Sequence, residues 1–247
     1  MSSERLKIAL VLLLLPACSV KEKRSQCPCL LSIKLESAPA TLRVEGEGFL
    51  QMWNCPRDTL LQVKVPRSGV EISTLRGAEF FPDGSVRIAY AYDSPPLYFD
   101  ACSVDTDSES ADAALRAHKS YCALTVVCDG PPGGGEPYWV EFKGNVSGWE
   151  RNGTLIEGPF SYRCVPESDG SFTVRLPRQR DESLRMDILF SDRIVRSFAL
   201  GTALSRSGYD WTEPDLPDKE LILRLSLTEI TLHPDLWTEN ISLEIEI

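Results

Sequence analysis

Apolar residues recur at every second position along most of this chain, and that period leaves little choice of fold. Leu31, Ile33 and Leu35 alternate with Ser32, Lys34 and Glu36, and Leu61, Val63 and Val65 repeat the pattern up to Pro66. Val86, Ile88 and Tyr90 follow the turn sequence FPDGS. Further runs span Leu124 to Cys128, Trp139 to Phe142, Phe172 to Leu176 and Met186 to Phe190. Leu221, Leu223, Leu225 and Leu227 share one face, followed by Ile230 and Leu232. Such alternation, rich in β-branched and aromatic residues, marks antiparallel strands with one face buried. The 17 prolines and 16 glycines fall mostly between these runs, as turn punctuation. Helical periodicity is scarce, and the one short helix expected lies around Ala111 to Lys119. The fold class is all-β, a sandwich.

At 247 residues the chain has room for one large domain or two small ones. Composition breaks at DTDSESADAA, Asp105 to Ala114, read as the end of a first domain or its link to a second. GPPGGGEP, Gly130 to Pro137, is flanked closely by strand-like runs and reads as a hairpin loop. No repeat of fixed period is evident.

The N-terminus has the pattern of an export signal. Arg5 and Lys7 precede an unbroken apolar run from Ile8 to Leu15, and Pro16 and Ala17 lead into Cys18. The run is too short to cross a membrane, which takes about 20 apolar residues. The order Leu-Pro-Ala-Cys matches a bacterial lipobox, with cleavage between Ala17 and Cys18 and a diacylglycerol on the Cys18 thiol. Acyl chains contribute about 0.8 kcal/mol per buried CH2, so two or three of them hold a protein permanently. Residues 1–17 are thus expected to be a signal peptide, and KEKR, Lys21 to Arg24, a solvated tether. A net charge of −10 and a pI near 4.8 argue against nucleic acid as a partner. An exported chain meets oxidising conditions, so disulfides are permitted. With Cys18 acylated, seven thiols remain: Cys27, Cys29, Cys55, Cys102, Cys122, Cys128 and Cys164. Their connectivity is open. A bridge from Cys27 or Cys29 to Cys55 or Cys102 is one option, whereas Cys122 and Cys128 in one strand are about 20 Å apart and cannot bridge.

Little in the sequence points to catalysis. His118 and His233 have neither an i, i+4 partner nor a cysteine cluster nearby, so they read as surface or strand-edge residues. Asp105, Asp107 and Glu109 begin like a calcium loop, but no glycine supplies the sharp turn and Arg116 stands where the bidentate glutamate belongs. Cys27-Pro28-Cys29 lacks the CxxC spacing of redox motifs. No metal, cofactor or small-molecule substrate is expected. The sequons at Asn145, Asn152 and Asn240 are chance matches in a bacterial lipoprotein. The five tryptophans read mainly as core, although Trp139 and Trp149 would be the pair to stack on sugar rings. The segment Ile241, Ser242, Leu243, Glu244, Ile245, Glu246, Ile247 alternates without fault. It can close its own sheet or be lent to the open edge of another subunit.

These blocks together resemble a known family. CSVKEKRSQCPCLLSIKLE is similar to the mature N-terminus of FimB-like fimbrial subunits of the Bacteroidales. KSYCALTV, GNVSGWERNGTLIEGPF, RLPRQRDESL, FALGTALSRSGYDWTEPDLPD and the closing ISLEIEI follow in the family's order. The resemblance implies an outer-membrane lipoprotein of two transthyretin-like β-sandwich domains, residues 18–116 with the tether and residues 117–247. It implies an anchor or accessory subunit of a type V pilus, exposed on the cell surface and bound to fimbrial stalk subunits by strand exchange. Cys18 would then carry the lipid, and Ile241 to Ile247 would be the exchange strand. Stalk subunits of such pili are cleaved after an arginine; nothing distinguishes Arg43, Arg57 or Arg67 as such a site, so this chain is expected to stay intact. The alternative function is a surface lipoprotein that captures glycans on exposed tryptophans; an enzyme is not expected.

Overall fold

The computed structural model describes residues 27–36, 38–129, 138–167, 170–225 and 230–234. Strands β1 (Cys29–Glu36), β2 (Ala40–Gly46), β3 (Phe49–Cys55), β4 (Thr59–Val65) and β5 (Val70–Arg76) come first. They are followed by β6 (Val86–Arg87), β7 (Tyr98–Val104), β8 (Ser110–Arg116) and β9 (His118–Lys119). The second half holds β10 (Tyr121–Asp129), β11 (Tyr138–Trp149), β12 (Leu155–Cys164), β13 (Ser171–Pro177), β14 (Arg185–Phe190) and β15 (Arg193–Phe198). A helix α1 (Leu200–Arg206) precedes β16 (Lys219–Leu225) and β17 (Ile230–Pro234).

The strands form two pairs of sheets. A three-stranded sheet ordered β4-β1-β8 faces a five-stranded sheet ordered β3-β2-β5-β7-β9. Leu31, Ile33 and Leu35 of β1 are all buried against Leu42, Val44, Ile72 and Leu115, as their alternation requires. Burying each such side chain contributes about 1.5–3 kcal/mol. In the second half, β13-β10-β16-β17 packs against β12-β11-β14-β15 around Leu124, Val126, Phe142, Val174 and Ile188. The molecule is all-β with sandwich-like layers, as read from the sequence.

Several local readings need correcting. Residues Ala111 to Lys119 are not helical but form β8 and β9. Ala111, Ala113 and Leu115 lie in parallel register with Leu31, Ile33 and Leu35 of β1. This pairing with a distant strand overrides the helix preference of alanine. The acidic run is accordingly split: Asp105 to Glu109 form an irregular connection, and Ser110 onward is a strand of the first sheet. The helix lies instead at Leu200–Arg206, where Leu200, Ala203 and Leu204 face the core. Gly201 is needed there, because a Cβ would fall 2.4 Å from the Glu182 carbonyl oxygen. Gly130 to Pro137 lies outside the described residues, but its flanking strands β10 and β11 belong to different sheets and are no hairpin. Of the run Val86 to Tyr90 only Val86–Arg87 is strand; Tyr90 is exposed and Ala91 adopts φ 67° as the chain turns away. Leu227 lies outside the described residues.

The short β6 has a structural role. It leaves the first half to pair with the end of β11, Val86 opposite Trp149 and Arg87 opposite Gly148. Gly148 permits this approach, since a Cβ there would lie 2.2 Å from the Val86 carbonyl oxygen. A third apolar cluster, Leu75, Val86, Leu97, Phe99 and Trp149, fills the seam between the halves. Around it, Arg151 pairs with Glu45 at 3.2 Å and Glu71 at 2.9 Å, and Arg175 with Asp93 at 3.0 Å. The two halves are thereby packed and paired into one body.

Candidate assembly surface

The residues singled out for anchoring and exchange, Ala17, Cys18 and Ile241 to Ile247, lie outside the described residues. The structure describes the elements to which they connect. Cys27 and Pro28 lead directly into β1, which is central in its sheet, antiparallel to β4 on one side and parallel to β8 on the other. At the other end, β17 is an edge strand paired only with β16 among the described strands. The sequence Ile241 to Ile247 begins seven residues after its last residue, Pro234.

Five of the described cysteines do not cross-link this framework. Cys27, Cys29, Cys55, Cys102 and Cys122 are free thiols, so the bridge considered for the first half is not formed. Cys29 stands opposite Val65 at one end of β1, whereas Cys55 pairs with Ala40 near the other. Six residues of strand separate Cys29 from Leu35, a span of about 20 Å. Burial pushes the Cys122 thiol up to about 11 and raises those of Cys29, Cys55 and Cys102, which keeps them protonated and unreactive at neutral pH.

A charged cluster covers the outer face of β11, β14 and β15, and the alternation gave no sign of it. Asp187 is fully buried; Ser197 Oγ donates to its Oδ1 at 2.7 Å, and Arg185 Nε lies 3.0 Å from the same oxygen. Lys143 Nζ reaches Asp187 Oδ2 at 3.1 Å and Glu141 at 2.8 Å. Burial by itself would raise the Asp187 carboxyl, but the Ser197 and Lys143 hydrogen bonds and the nearby Arg185 hold it below the usual carboxylate range. A depressed folded-state value means that the stabilisation is present above the unfolded value of about 3.9 and is lost as the pH falls through the folded one. Asp187→Asn is therefore expected to cost about 1–3 kcal/mol at neutral pH. The penalty should shrink in urea titrations carried into acid, as the pH falls below the unfolded value and through the lowered folded one. An equal penalty at both pH values would show that charge is not what matters at Asp187.

The described tryptophans do not form an exposed line. Trp149 is 1% exposed inside the seam, whereas Trp139 is 39% exposed on the outer face, with the Arg163 guanidinium 6.0 Å from its ring centre. Trp211 is buried as well. Trp149 is thus removed from the sugar-stacking pair by its packing, and Trp53 packs half-buried against the first core. His118 Nδ1 lies 3.1 Å from Asp215 in an exposed contact that joins β9 to the segment before β16, as suits a strand-edge histidine. Burial would raise the Asp215 carboxyl, but the Lys119 backbone N–H, His118 and Arg116 hold it low. Arg178 fixes the same segment by donating to the carbonyls of Glu213 and Pro214, each at 2.8 Å. Sequence spacing could not have found these contacts, because they join residues far apart in the chain.

No family model matches this sequence, and no curated protein does either. Solved structures are similar in fold. A candidate polysaccharide-binding protein of the DUF1812 type from Bacteroides thetaiotaomicron aligns with a TM-score of 0.63 at 13% identity, over 87% of this chain and 99% of its own. A candidate adhesin from Bacteroides ovatus gives 0.61 at 13% identity, over 88% and 95%. The fimbrial anchor protein Mfa2 from Porphyromonas gingivalis gives 0.59 at 12% identity, over 80% and 91%. At such identities the likeness is one of fold: the chain shares an all-β architecture with adhesin and fimbrial proteins of the Bacteroidales.

Proposed function

We propose that this chain is a lipid-anchored fimbrial subunit, the anchor that attaches a type V pilus to the outer membrane. The observation that carries the reading is the fold it shares with a fimbrial anchor protein over 80% of its length. The lipobox ending at Cys18 and the ordered FimB-like sequence blocks support it independently. In this reading residues 1–17 are removed and Cys18 holds the lipid. Residues 18–116 and 117–247 form the two domains, and Ile241 to Ile247 pairs with a stalk subunit on the cell surface. The chain works without an active site. Its adhesive function rests on β-augmentation, in which backbone hydrogen bonds supply affinity and alternate side chains supply selectivity.

Of the three arginines considered, Arg57 is exposed and Arg67 half-buried, so the intact-chain expectation gains structural support only at Arg43. It is 3% exposed in the middle of β2 and paired with Glu45 at 2.8 Å, out of reach of an arginine-directed protease in the folded state. A second reading, glycan capture, is favoured by Trp139, the one exposed tryptophan among the described residues, beside Arg163.

The test is co-purification from outer membranes of the intact protein and of a truncation lacking Ile241 to Ile247. The truncation must first be shown to be folded and membrane-bound. The intact chain is expected to bring down a fimbrial stalk subunit and the truncated one to lose at least about tenfold of it, since a seven-residue strand supplies most of such an interface. Equal capture by both would remove the exchange strand from the mechanism. Capture by neither, with pili present, would sink the anchor reading.

A further inference from the structure

β3 is an outer strand of the five-stranded sheet, paired with β2 on one side and with no other described strand on the other. Its sequence, FLQMWNC, contains no charge and no proline. Native sheets ordinarily guard their edges with such residues. The other edge strands here do so: Lys64 in β4, Asp112 in β8, Lys119 in β9, Pro159 in β12, Arg175 in β13, Arg193 in β15 and Pro234 in β17. Only β3, among the described edges, is left unguarded.

The hairpin fixes which groups face outward. β2 and β3 are joined by the two-residue turn Glu47–Gly48, with Gly48 at φ 65°, so Gly46 and Phe49 are the closing pair. In a two-residue hairpin that pair is hydrogen-bonded, and the pattern then alternates. Gln51, Trp53 and Cys55 therefore direct their backbone groups to β2, whereas Leu50, Met52 and Asn54 direct theirs away from the sheet. The same three side chains share the outer face, where Leu50 is 53% and Met52 50% exposed.

We propose that β3 is a self-docking edge, pairing antiparallel with β3 of a second copy of this chain about a two-fold axis through Met52. In that register Met52 faces Met52, Leu50 faces Asn54, and every outward N–H and C=O of the three residues finds a partner without overhang. The rims fit as well. Glu47 and Arg57 lie two residues beyond the opposite ends of the strand, both exposed and neither ion-paired within the described residues. The two-fold places Glu47 of each copy opposite Arg57 of the other. Two chains that each carry −10 repel one another in general, so they can associate only along a seam with no net charge of its own. An uncharged strand between rims of opposite sign is such a seam. Isologous pairing of this kind is also the commonest symmetry of homo-oligomers.

The test is sedimentation of the full chain in mild detergent, comparing wild type with Met52→Pro, Met52→Lys, Glu47→Arg and the swap Glu47→Arg with Arg57→Glu. Because the Met52 N–H points away from β2, proline there is tolerated by the monomer but blocks the seam. Near-UV circular dichroism checks that each variant is folded. Wild type is expected to be dimeric and both Met52 variants monomeric at the same concentration. Glu47→Arg should weaken association about tenfold by turning two attractive rim pairs repulsive, and the swap should restore it. A monomeric wild type would overturn the proposal, as would a dimer that survives both Met52 variants or a swap that restores nothing. Amide protection at Leu50, Met52 and Asn54 that arises only when a different fimbrial subunit is added to a monomeric chain would also overturn it, in favour of a heterologous partner.

Discussion

Trp149→Ala is expected to lower the unfolding free energy by about 3–5 kcal/mol, the usual cost of emptying a core site of an indole. The effect should exceed that of other tryptophans because of where the cavity opens. Trp149 is 1% exposed and packs with Leu75, Val86, Leu97 and Phe99, so its ring fills space that both halves line. Neither half can collapse into the hole without leaving the other, and relaxation is therefore poor. Calorimetry should show a single wild-type transition dividing into two in the variant as the halves uncouple. Trp149→Phe should lose less and remain cooperative. A change below about 1 kcal/mol with one sharp transition would mean that the polar contacts of Arg151 and Arg175 hold the seam by themselves.

Cys18→Ser should shift the protein almost completely from the membrane fraction to the soluble one and abolish incorporation of labelled palmitate. Serine is close in size but presents no thiol for the thioether bond, so the whole acyl contribution vanishes. At about 0.8 kcal/mol per CH2, that contribution dwarfs anything the acidic body could gain at an anionic surface. Residue 18 stands nine positions before the described fold, which begins at Cys27. The urea midpoint of the body should accordingly be unchanged, and this separates loss of anchoring from loss of folding. If Cys18→Ser stayed with the membrane after carbonate washing, some other element would be the anchor and the lipobox reading would fall.

How much of this was legible in the sequence depended on the range of each interaction. Strands such as β1, β4, β10, β13 and β14 were visible because alternation is local and one face of each is buried. β8 was misread because Ala-rich SADAALR carries helix propensity, and only its parallel register with β1 makes it a strand. Helix α1 was missed because seven residues containing Gly201 and Thr202 show too few turns for a period to emerge. The hairpin at Gly130 to Pro137 failed because proximity in sequence cannot say which sheet a strand will join. Asp187 read as an ordinary polar position in an alternating run; its burial depends on Lys143, Arg185 and Ser197, which converge only in the folded sheet. The residues proposed for tethering and exchange, Cys18 and Ile241 to Ile247, rest on chemistry and pattern alone and lie outside the described residues.

The place of β1 has a mechanical consequence. A pull on the N-terminal tether would reach the body along the axis of this strand. β1 is held by seven residue pairs to β4 on one side and seven to β8 on the other. Its hydrogen bonds run across the direction of pull, so both ladders would be loaded together in shear. An edge strand dragged sideways would instead peel, one bond at a time. A chain proposed to carry a fibre under flow is best gripped by its middle strand, and the described fold of this one begins with such a strand.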